Sequence, residues 1–119
     1  MHPIKDDCYT TSVKYCNCIE FHLDEERRHG FHTSQLIDYT LGPNPDGDKD
    51  KNAPPQTLTL SFSTADVVIL GWRLGRLTDL IRDNDLATVH VMSKRYGDLD
   101  RARPFVASIT ITPISRSPS

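Results

Sequence analysis

Four residues near the start of the chain have the chemistry to bind a metal. Cys18, Glu20 and His22 alternate along one stretch, and His32 follows in the next. An imidazole joined by thiolate or carboxylate is the donor set that zinc or a similar transition metal takes. For the four to converge they must lie on one face of a hairpin. Setting Leu23 opposite Phe31 across the charged turn Asp24–Gly30 does this: His22 then faces His32, and Glu20 faces Ser34. The competing reading is that histidine and glutamate are ordinary residues on a solvated strand face. Cys16-Asn17-Cys18 also departs from the C-x₂-C spacing of zinc knuckles. The expectation for cofactors is therefore none, with a zinc-like ion on Cys18, Glu20, His22 and His32 as the alternative.

Other chemistry fails on spacing. Asp46, Asp48 and Asp50 would supply the first, third and fifth positions of a calcium loop. The sixth is Lys51 where a sharp turn needs glycine, and the twelfth is Thr57 where a bidentate glutamate is needed. Gly71-Trp72-Arg73-Leu74-Gly75 lacks the glycine spacing and lysine of a phosphate loop. Cys8, Cys16 and Cys18 with His22 offer nucleophile and base types without a local signature. Lys94, Arg95, Arg101 and Arg103 are half offset by Asp98 and Asp100, as expected of a solvated loop. No catalytic residue is assigned.

The elements that must carry these side chains follow from apolar periodicity. Tyr9–Leu23 alternates with its odd residues apolar, and so does Phe31–Leu41; together they read as a long hairpin, the first strand bent near Asn17. Gly42–Pro55 holds four prolines and two glycines and reads as a mobile loop, extending over 42–56. Thr57–Phe62 alternates strictly, with Leu58, Leu60 and Phe62 on one face. Residues 63–71 permit two readings. In one, Val67, Val68 and Ile69 return as a strand that pairs Phe62 with Val67. In the other, a single helix capped by Ser63 runs from Thr64 to Asn84. The β-branched run, Gly71 and Gly75 favour the strand. Leu74, Leu77, Leu80 and Ile81 then form the stripe of an amphipathic helix. Leu86–Met92 and Phe105–Ile111 close the chain as strands, with Phe105, Ala107, Ile109 and Ile111 inward.

These elements imply one α+β domain over residues 1–119, with flexible tails at 1–7 and 115–119. It would be an antiparallel sheet of about four to six strands (two hairpins plus a C-terminal strand) with one helix across a face. The outer face should be wet, interrupted by Leu36, Val68, Leu70 and Val106, which suits an isologous contact between copies. At 119 residues the chain can bury a core without staples. A net charge of −2 and a pI near 6.2 argue against DNA as a partner. No apolar run reaches the ~20 residues that span a bilayer. The start carries no secretory pattern, and three cysteines fit a reducing, cytoplasmic setting. The function these features favour is a non-catalytic binding or assembly module that forms a homo-oligomer. The alternatives are the metal protein above and an enzyme whose site assembles from residues far apart in sequence.

Overall fold

The computed structural model describes residues 8–11, 17–45, 53–92 and 104–114. Among these residues the chain is mostly β, with eight strands in two sheets and a single α-helix. One sheet orders β1 (Tyr9–Thr11), β7 (Leu86–His90), β2 (Cys18–His22) and β3 (Arg28–His32). The other orders β4 (Leu36–Pro43), β5 (Gln56–Phe62), β6 (Ala65–Trp72) and β8 (Phe105–Pro113). Every pairing is antiparallel except β2 with β7, which is parallel.

The expected single sheet of four to six strands is thus corrected to two sheets of four. Two events cause the difference. The stretch Phe31–Leu41 is broken by a 3-10 turn over Thr33–Gln35, which puts Phe31 in the first sheet and Leu36 onward in the second. Tyr9–Thr11 and Cys18–His22 are also separate strands, because β7 from late in the chain inserts between them. Period-2 patterning records which side chains share a face but not which strand lies alongside, so neither event shows in it.

Residues 63–71 are extended, as the β-branched run predicts. β5 and β6 form a hairpin around Ser63 and Thr64, pairing Leu60 with Val67 and Leu58 with Ile69. This register is two residues tighter than the predicted Phe62–Val67 pairing, and the even shift leaves every side chain on its predicted face. Leu58, Leu60, Phe62, Val67 and Ile69 are all fully buried. Gly42, Pro43 and Gln56, expected in the loop, lie in paired strands, and Asn44 bonds back to Pro54 and Pro55. The candidate calcium-loop residues Asp46–Lys51, the tails, Tyr15, and the basic group at 94–103 lie outside the described residues.

The helix α1 (Gly75–Arg82) follows a sharp exit from β6. Arg73 takes a left-handed φ of 55°, and the Leu74 N–H is held by Gln56 Oε1 at 2.7 Å. Leu74, Leu77 and Leu80 turn inward and are buried, each adding ~1.5–3 kcal/mol of burial free energy. Asn84, at φ 59°, ends the helix. Its N–H reaches the Ile81 carbonyl, and that of Asp85 reaches Leu80, the paired bonds of a Schellman cap.

Both sheets and the helix share one interior. Phe21 lies edge-on to Phe31 and Phe62, with centroids 6.0 and 6.2 Å away. The parity prediction holds for Phe21 and Leu60 and fails for Ile37, which is 58% exposed. Ile37 is the extra residue where the β4–β5 register slips between Leu36 and Asp38. That slip turns Leu36 toward Phe62 and the core. A second slip at Leu70/Gly71 pairs Gly71 with Val106 and Leu70 with Ser108. Val106, expected outside, is fully buried, while Phe105 packs edge-on against Trp72 at 5.3 Å.

Candidate functional site

Cys18, Glu20 and His22 occupy alternate positions on β2 and therefore share the outer face of the first sheet, as read from the sequence. The hairpin register differs from the predicted one. Cys18 faces His32, Glu20 faces Gly30 and His22 faces Arg28. The turn is four residues tighter than the Leu23–Phe31 pairing because Asp24 organises it. The Asp24 carboxylate accepts the N–H groups of Glu26 and Arg27, each at 2.8 Å, and the Arg27 Nε at 2.7 Å. These bonds hold the Asp24 carboxyl below its ordinary pKa, with the Glu26 N–H the largest cause.

The four predicted ligands consequently fall into two pairs, Cys18 with His32 and Glu20 with His22, with Glu20–Gly30 between. His22 Nε2 lies 2.6 Å from Glu20 Oε1, and Arg28 stands 3.7 Å from the same oxygen. The neighbour of His22 on its other side is one the sequence reading missed. Parallel pairing sets His90 of β7 beside it, the rings 6.3 Å apart and tilted by 39°. Glu20 and His22 could offer two donors to one cation. Among the described residues no group of three His, Cys, Asp or Glu side chains stands close enough to hold a metal.

Beside this row lies an open groove of about 690 Å³. Its lining includes Thr10, His22, Thr88, His90, Val91 and Met92. The Thr10 and Thr88 hydroxyls are bonded to each other at 2.6 Å. The groove is open, its exposed lining is mostly apolar, and Asp24 and Glu25 also border it.

The second candidate is a strand edge. Of the four edge strands among the described residues, three carry features that discourage pairing. β1 has three residues; β3 carries Arg28 and Gly30; β4 carries Asp38, the Ile37 bulge and Pro43. β8 differs from all three. It has nine residues, FVASITITP, with no charge and no proline before its last position. Among the described residues it pairs only with β6, and its half-buried Ile109 and Ile111 sit where the interior meets the open edge.

Compared with known protein families, curated proteins and solved structures, the chain matches none. Among the described residues, no helix is long and apolar enough to cross a membrane.

Proposed function

We propose that this chain is a non-catalytic assembly module that works as a homo-oligomer. The observation that carries the reading is the β8 edge: the longest strand among the described residues, uncharged and rich in β-branched side chains, and beyond Val106 paired among those residues with β6 alone. Unpaired edges template association, and proteins that stay monomeric blunt them. Among the described residues β1, β3 and β4 are blunted in this way and β8 is not. A second copy supplies both the missing backbone partners and cover for Ile109 and Ile111.

Light scattering across a dilution series tests this. The expected result is a mass of at least two chains that falls on dilution. A mass of one chain at every concentration would overturn it.

A further inference from the structure

Resting on that reading, we infer how the copies join: β8 pairs antiparallel with β8 of a second copy about a two-fold axis at Thr110, making one continuous eight-stranded sheet. The hydrogen-bond phase of β8 fixes this. The Ile114 N–H donates to the Thr64 carbonyl at 3.0 Å. Pro113 opposite Ala65 is then a pair without backbone bonds, and Thr112 opposite Asp66 is a bonded one. The alternation continues along the regular pairs to Ser108–Leu70. Ser108, Thr110 and Thr112 therefore spend their backbone groups on β6. Ile109 and Ile111 turn theirs to the open edge. Pro113 fits this phase, since its missing N–H faces away from β6.

Side-chain parity limits the register further. Ile109 and Ile111 lie opposite the buried Ile69 and Val67, so they face the interior, whereas Thr110 and Thr112 are exposed. A partner strand must keep interior residues opposite interior residues, so the axis falls on a residue and not between two. At the other end the Val106 carbonyl already accepts the Met92 N–H. An axis at Ile111 would set Ile109 against Pro113, which lacks a donor. An axis at Ile109 would run Ile111 into the irregular stretch at Val106–Ala107. With the axis at Thr110, Ile109 of each copy faces Ile111 of the other, and all four outward N–H groups find carbonyls. The strand carries no charge, so the two copies bring no like charges together.

The test is Thr110→Cys against Thr112→Cys, both at exposed positions, in a Cys16→Ser, Cys18→Ser background. At the axis, Thr110 meets its own copy in a non-bonded pair with Cα atoms about 4.5 Å apart, within disulfide reach. The two Thr112 residues would stand about 13 Å apart, four residues along the strand. Under mild oxidation the Thr110→Cys chain should give a reducible dimer band at least fivefold stronger than Thr112→Cys. On the unsubstituted chain, isotope-filtered NMR of mixed copies should show methyl contacts from Ile109 to Ile111 between chains. Equal bands, or absent methyl contacts, in a sample that scatters as a dimer would overturn the register and leave self-association standing. A single-chain mass for the unsubstituted protein would overturn both.

Discussion

Phe31 and Phe62 stack face to face, centroids 4.2 Å apart and planes within 14°, although they belong to different sheets. With Phe21 edge-on to both, they are where the two sheets are fastened together. Phe62→Ala should cost about 3–5 kcal/mol of stability. The Phe31→Ala, Phe62→Ala double variant should lose less than the sum, since the two rings touch. Urea unfolding of the four proteins of this cycle measures the coupling, and strict additivity would show that the stack contributes nothing beyond burial.

Gly71 has no room for a side chain. A Cβ there would meet the Phe105 carbonyl oxygen at 2.1 Å and a Leu74 methyl at 3.0 Å. The obstacle is backbone, so β6 and β8 would have to part where their register slips. Gly71→Ala should cost at least roughly 1–3 kcal/mol, read as a lower thermal midpoint. Gly42→Ala, with nothing within 4 Å of its Cβ, is the control.

Asn84→Ala should destabilise by about 1 kcal/mol and Asn84→Gly should not, because the Schellman cap holds this residue left-handed. Chemical denaturation of the two variants separates backbone conformation from loss of the amide. Equal losses would point to the side chain instead.

The Asp24 carboxyl is held below its ordinary value of 3.8 by Glu26 and Arg27. A group with a depressed folded pKa contributes stability above its unfolded pKa and loses it as pH falls through the folded one. The β2–β3 turn should therefore be ordered at neutral pH and loosen below about pH 3.8. The protection of the Glu26 and Arg27 amides, relative to their intrinsic exchange rates, should fall there, and in Asp24→Ala it should be low at every pH. Unchanged protection at low pH would mean the turn is held by something else.

Thr110→Lys should weaken self-association without unfolding the chain. Its side chain is exposed on β8, and at the two-fold axis it would confront its own copy. Like charges directly opposite cost up to about 1 kcal/mol, roughly fivefold in Kd. Sedimentation across a concentration range gives the comparison, and an unchanged Kd would remove Thr110 from the contact.

Faces were legible in the sequence; neighbours were not. Leu58, Leu60, Phe62, Leu74, Leu77 and Leu80 are buried as their spacing predicts, and the choice of strand over helix for residues 63–71 rests on the same local chemistry. Ile37, Leu36 and Val106 were misplaced because a one-residue bulge inverts parity and leaves no mark in composition. Cys18, Glu20 and His22 were rightly put on one face, but their neighbours depended on the turn. The Asp24 carboxylate, three residues from Arg27, was the available sign of a tighter one. His90 was out of reach, since nothing near residue 90 announces a strand bound for a place beside residue 22.

The position of β7 between β1 and β2 also orders events during synthesis. A chain leaving the ribosome can close β4, β5 and β6 from adjacent segments. Ile19 and Phe21 can meet Phe31 and Phe62 early, but the side of β2 that receives Val89 must wait until residue 90 has emerged. Non-local closure of this kind is slow, so completion of the first sheet waits on β7.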